Sequence, residues 1–207
     1  MRAFDVVFAA GFAIYVAMRG YWQAKARGET VVAHRRSLRE AALLVLVAIG
    51  CVLLPVLYLV SPWLDFAAYT PPAALPWGGV VAMVVALWLF WRSHADLGRQ
   101  WSVTLEIRDR HELITRGVYA RVRHPMYASI WLFSLAQGLL LANWLAGWSA
   151  CAAFGALYFL RVGNEERMLE SQFGEPWRAY CARTGRLLPR LLARGSPFSR
   201  GRRTRST

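Results

Sequence analysis

Acidic residues are scarce in this chain: 12 Asp and Glu stand against 25 Lys and Arg, for a formal net charge of +13. Only three cysteines and four histidines occur, with no CxxC pair and no His/Cys spacing of a metal site. This argues against a disulfide framework and against zinc. Cys51 and Cys151 lie within apolar runs, and Cys181 lies alone in a basic segment.

Charge is missing altogether from long stretches. "AALLVLVAIGCVLLPVLYLV", Ala41 to Val60, is 20 residues without a charge. As a helix it covers about 30 Å, the thickness of a bilayer's hydrocarbon core. A soluble nucleic-acid binder could be as basic, but not with runs of this kind in a chain that is 57% hydrophobic. The sequence therefore describes an integral membrane protein with the lipid bilayer, not nucleic acid, as its partner. Trp22, Trp63, Trp77, Trp91 and Trp144 fall near the ends of apolar runs, the places of an interfacial aromatic belt. The first run, Phe4 to Met18, has no small-residue cleavage site and leads into "RGYWQAKARG", so it reads as an uncleaved span.

Five spans are expected: Ala3 to Met18, Ala41 to Val60 with a kink at Pro55, Leu75 to Trp91, and a hairpin. The hairpin comes from the apolar block Pro125 to Leu160, 36 residues long. One helix of that length would reach about 54 Å. A turn at "LANWLAG" divides it into Pro125–Leu141 and Trp144–Leu160. The expected fold class is all-α, a polytopic membrane helix bundle. It divides into N-terminal spans over 1–91, a core over 92–190, and a basic, disordered tail over 191–207.

Loop charges orient the bundle. Lys and Arg number six over 19–39, seven over 92–123 and eleven from 161 onward, whereas "SPWLDFAAYTPPAA" and "ANWLAG" hold none. By the positive-inside rule the N-terminus is outside and the C-terminus cytoplasmic, with both large polar segments on one side. For a bacterial chain this is the inner membrane.

Those polar segments are "HELITRGVYARVRHPMY", before the fourth span, and "RVGNEERMLESQFGEPWRAY", after the fifth. A folded-back hairpin makes them neighbours. Pro125 suits the first turn of a helix, whose free N–H groups and dipole attract an anion. Arg123 and His124 stand beside it. On the other side, Arg161 and Glu165 are four apart and share a helical face, with Glu166 adjacent. Carboxylates at membrane depth are costly unless they hold something cationic. An anion site opposite an acidic pair suits a zwitterionic ligand with an added positive charge.

"HELITRGVYARVRHPMYAS", a hairpin, then "NEERMLESQFGEPWRAYCARTGRLLPR" resembles the isoprenylcysteine carboxyl methyltransferase family. That family is related to bacterial phospholipid N-methyltransferases. The resemblance covers roughly 97–190 and includes "LGRQW". It implies a helical membrane bundle whose cytoplasmic side encloses S-adenosyl-L-methionine. Position by position, it implies cofactor contacts at His111, Glu112, Leu113, Ile114, Tyr119, His124, Pro125, Met126, Tyr127 and Glu165. It implies an acceptor contact at Arg161, with catalytic and substrate-binding roles. Arg123 joins the cofactor set through its place at the helix start. Ala128 and Ser129 replace a glycine-containing step common after RHPxY, and Trp177 stands where a tyrosine is usual. The acceptor is expected to be lipophilic and reached laterally. A carboxylate acceptor needs no base. For an amine acceptor, as in phospholipid amine N-methylation, Glu166 is the first candidate base and His111 the second. The competing readings are an NADPH-dependent sterol-type reductase and a non-catalytic membrane scaffold.

Overall fold

The computed structural model describes residues 2–26, 38–98 and 113–190. His111, Glu112 and the tail from 191 lie outside the described residues. The described chain is helical: α1 (Ala3–Ala26), α2 (Leu38–Ala48), α3 (Leu54–Val60), α4 (Leu75–Leu97), α5 (Pro125–Leu140), α6 (Trp144–Phe173) and α7 (Glu175–Arg183). Among the described residues there is no strand, only two isolated bridges.

Among the described residues, four stretches are long and apolar enough to cross a membrane: Ala3–Lys25, Leu38–Val60, Leu75–Leu97 and Trp144–Phe173. α5 has 16 residues, about 24 Å of helix, and forms the first arm of the expected hairpin. The five-span expectation therefore holds in outline. Trp63, Trp77, Trp91 and Trp144 are exposed, as an interfacial belt requires. Trp22 is not: it is 6% exposed and packs against Trp91 and His94.

The second span carries a π-helical turn, Ile49–Leu53, one residue short of Pro55. The Leu54 N–H reaches back five residues to the Ile49 carbonyl, skipping that of Gly50. Pro55 has no N–H to offer in its place. The buried Gly50 carbonyl is instead satisfied by Gln137 Nε2 from α5 and Ser149 Oγ from α6, each at 2.9 Å. Gln137 Nε2 also donates to the Ala146 carbonyl at 2.7 Å. A sequence kink thus becomes the polar clasp of three spans. Contact here is close: a Cβ on Gly50 would lie 2.7 Å from the Ser149 carbonyl oxygen. Gly50→Ala is expected to lower stability by about 1–3 kcal/mol, the usual cost of overpacking, as read by thermal unfolding in detergent.

The hairpin turns at Asn143. Its side-chain oxygen accepts from the Leu145 and Ala146 amides at 3.0 and 2.9 Å, capping α6. Its amide donates to the Leu64 carbonyl at 2.7 Å. α4 lies along α5, where Gly79 admits Leu139 and Leu140 so closely that a Cβ would meet both at 2.9 Å. Phe8, Met83, Ala86, Phe133, Ala136 and Leu140 fill the core between α1, α4 and α5. Tyr127, Ile130 and Trp131 pack on Phe154, Leu157, Tyr158 and Val162, which seats the start of α5 against the far half of α6.

Candidate functional site

α6 does not stop at Leu160. It runs on to Phe173, ending at Gly174, whose φ of +56° suits a residue without a side chain. At 30 residues it spans about 45 Å, so its last turns project past the apolar layer. That projection carries Arg161, Glu165 and Glu166.

The start of α5 is built by a different device. Gly117, at φ +60°, opens a 3₁₀ turn, Gly117–Ala120. Asp96, near the end of α4, accepts the Val118 amide at 2.9 Å and is paired with Arg92 at 2.6 Å. Tyr119 is drawn between elements: its hydroxyl donates to the Ser93 carbonyl at 3.4 Å, and its own carbonyl accepts from Tyr180 at 2.6 Å. Burial raises both phenols above their ordinary range, Tyr180 to about 12, so both stay neutral donors. The segment after α7 then pairs with the approach to α5. Arg123 N donates to the Gly185 carbonyl at 2.8 Å, and His124 N to the Arg186 carbonyl at 3.0 Å.

Two adjacent glutamates meet these elements on different sides. Glu165 Oε2 accepts from the Tyr127 hydroxyl at 2.6 Å and lies 4.0 Å from Arg161 Nε. Glu166 Oε1 is 3.2 Å from His124 Nε2 and 3.4 Å from Arg123 Nη2. Arg186 reaches the same carboxylate through both Nε, at 3.0 Å, and Nη2. The acidic pair of the sequence is therefore split, one carboxylate per site. Glu166 borders an open cleft of about 500 Å³, which Arg123, Glu170, Trp177 and Cys181 also line. Burial pushes the Cys181 thiol up, which makes it a poor nucleophile.

The two arginines differ in what they have left to offer. Arg123 Nη1 donates to the Thr184 and Cys181 carbonyls at 2.6 and 3.2 Å, capping the C-terminal end of α7. Its remaining donors face Glu166. Among the described residues Arg161 makes one hydrogen bond, to Glu40 on α2 at 3.5 Å, and its buried Nε has no hydrogen-bond partner. A guanidinium carries five N–H donors, so most of Arg161 is uncommitted there.

Of the residues expected in the site, His124, Tyr127, Arg161, Glu165 and Glu166 are brought together. His124 is 6% exposed, and its ring stacks on Tyr127 at 5.5 Å. Pro125 is buried and Met126 half-buried in the first turn of α5, and no side chain of the His124 cap position closes that turn. Leu113 and Ile114 are half-buried ahead of the 3₁₀ turn. Ala128 and Ser129 are buried behind the motif, and Trp177 is buried beside Tyr180. Sequence reasoning missed Asp96, Glu40 and Arg186. Asp96 left a trace, an acid four residues after Arg92 on a helix.

Residues 79–171 match the model of the isoprenylcysteine carboxyl methyltransferase family, the stretch that contains the Tyr127–Glu165 contact. That match covers a little under half of the chain. The chain is 28% identical to a protein-S-isoprenylcysteine O-methyltransferase B of Arabidopsis thaliana over 42% of this chain and 45% of that protein. It is 34% identical to the Homo sapiens protein-S-isoprenylcysteine O-methyltransferase over 41% of this chain and 30% of that protein. It is also 32% identical to the cobalt-zinc-cadmium resistance protein CzcN of Cupriavidus metallidurans, over 58% and 56% respectively. The chain thus spans between about a third and a little over half of the length of these relatives. Among the described residues no group of His, Cys, Asp and Glu could hold a metal ion. The isoprenylcysteine carboxyl methyltransferase match begins within α4 and ends within α6, leaving α1–α3, α7 and the strap after α7 outside it.

Proposed function

We propose that the protein is an integral-membrane, S-adenosylmethionine-dependent methyltransferase that O-methylates the carboxylate of a lipid-like, prenylated acceptor. The observation that carries this reading is the Tyr127–Glu165 hydrogen bond of 2.6 Å, beside an arginine with uncommitted donors. The residues fit the cofactor's charges. The uncapped first turn of α5 offers N–H groups to a carboxylate. Glu165 can accept from an ammonium or from ribose hydroxyls. Tyr127 offers a ring face to a sulfonium, worth roughly 0.5–2 kcal/mol. S-adenosylmethionine, when bound, supplies a methyl group on that sulfonium.

Arg161 would orient the acceptor. A terminal carboxylate, with a pKa of about 3.5, is already ionised at neutral pH and needs no base. The chain's contribution is then positioning and exclusion of water. Glu166 has a structural role instead. Its oxygens are taken by Arg123, His124 and Arg186, so we assign it to hold the strap after α7. Arg123, spent on α7 and Glu166, belongs to the same framework rather than to the cofactor. An amine acceptor would have to lose a proton, and Glu166 in this setting is a poor base for it. In this reading the site faces the cytoplasm, with the N-terminus outside.

The test is a thermal-shift assay on detergent-purified protein with S-adenosylhomocysteine and with NADPH. Stabilisation by S-adenosylhomocysteine is expected, rising with its concentration as linkage requires. Stabilisation by NADPH alone would make the protein a reductase instead. No response to either ligand would favour a scaffold.

A further inference from the structure

Among the described residues Arg161 projects from α6 with one hydrogen bond, and that bond comes from outside the family-matched segment. Its Nη1 lies 3.5 Å from Oε1 of Glu40, in the first turn of α2. Across the guanidinium, Glu165 Oε2 stands 4.0 Å from Nε. Glu165 is itself committed to Tyr127, so Glu40 is the partner that bears on Arg161 from a separate element. α2 can carry it there because the Gly50 clasp and the missing Cβ at that residue bring the second span tightly onto α6.

An arginine side chain loses much rotamer freedom when held in one geometry. A carboxylate on each side of Arg161 restricts that freedom before any ligand arrives, leaving the remaining donors for an incoming anion. We infer that Glu40 is a positioning residue: it holds the Arg161 guanidinium for the acceptor carboxylate, so that the N-terminal spans help determine which acceptor is used. This inference rests on the reading of Arg161 as the acceptor contact.

The partners are unequal in exposure. The Glu40 side chain is 43% exposed and that of Glu165 20% exposed. Removing the charge of Glu40 should therefore leave the fold and the Tyr127–Glu165 contact in place while loosening Arg161. A loosened arginine weakens acceptor binding before it affects anything else.

The experiment measures methyl transfer from S-adenosylmethionine to N-acetyl-S-farnesyl-cysteine by the full chain in detergent, for the parent, Glu40→Gln, Glu40→Asp and Arg161→Ala. Glu40→Gln is expected to raise the acceptor KM about five- to tenfold, with kcat and the KM for S-adenosylmethionine within about twofold of the parent. Glu40→Asp, which keeps the charge, is expected to recover most of the difference. An acceptor KM unchanged in Glu40→Gln, with Arg161→Ala inactive, overturns the role of Glu40 and leaves the reading of Arg161 standing. Equal loss for acceptor and S-adenosylmethionine also overturns it, because that pattern reports general damage. An Arg161→Ala variant as active as the parent, or a parent inactive on this acceptor, overturns the underlying reading itself.

Discussion

Arg161→Ala is expected to lower kcat/KM for a prenylated carboxylate acceptor by about 100-fold or more, with S-adenosylhomocysteine affinity within about twofold of the parent. The effect is large because a desolvated charge pair is at stake. Truncating one partner of such a pair costs roughly 2–5 kcal/mol, and about 1.4 kcal/mol is tenfold in rate. The effect is selective because Arg161 touches Glu40 and Glu165 only at 3.5 and 4.0 Å. Glu165 keeps its 2.6 Å bond from Tyr127 when Arg161 is gone. Steady-state kinetics with both substrates varied, beside titration with S-adenosylhomocysteine, measures both halves. Loss of cofactor affinity equal to the loss of turnover would remove Arg161 from the acceptor side.

Glu166→Ala is expected to act on stability instead, lowering it by about 2–3 kcal/mol. The Glu166 side chain is 16% exposed and faces Arg123, His124 and Arg186. Breaking a buried pair by removing one partner costs about 3–5 kcal/mol. The lower figure applies here because Arg186 is 48% exposed, and water screens what it loses. For a chain of this size the melting temperature should fall by roughly 4–12 °C. The strap after α7 should also open, since Glu166 is its side-chain tie to α6 through Arg186. Faster tryptic cleavage at Arg186 and Arg190 would report that opening. Glu166→Gln keeps hydrogen-bonding oxygen and should fall between the two. A variant that melts like the parent and stays uncut, yet loses turnover, would return Glu166 to the chemistry.

Much of this arrangement is legible in the residues. An apolar block too long for one span must fold back, and folding back must bring the start of α5 to the far part of α6. That inference needs only the rise of a helix and the thickness of a bilayer. The spacing of Arg161 and Glu165 likewise required only that α6 continue, which it does to Phe173. Adjacency in sequence misleads at Glu165 and Glu166. Neighbouring residues on a helix point about 100° apart, so the two acids serve different partners. The partners of Arg123 are not legible for a related reason: its Nη1 donates to the Cys181 and Thr184 carbonyls and its other donors face Glu166, far along the chain and invisible to any local pattern. Glu40 lies 121 residues from Arg161, on a span whose position depends on Gly50 and Pro55. Its trace in the sequence is an acid standing just before an uncharged run. The π-turn that places it arises from a proline's missing donor, which the sequence announces as a kink without saying which carbonyl is freed.

The most direct measurement is calorimetric titration of S-adenosylhomocysteine into the parent, His124→Ala and Glu165→Ala. If the start of α5 and the projecting end of α6 form one nucleoside site, the parent binds and each variant weakens binding about tenfold or more, while remaining folded by circular dichroism. Binding that survives both substitutions unchanged would mean that the two segments meet without forming the site.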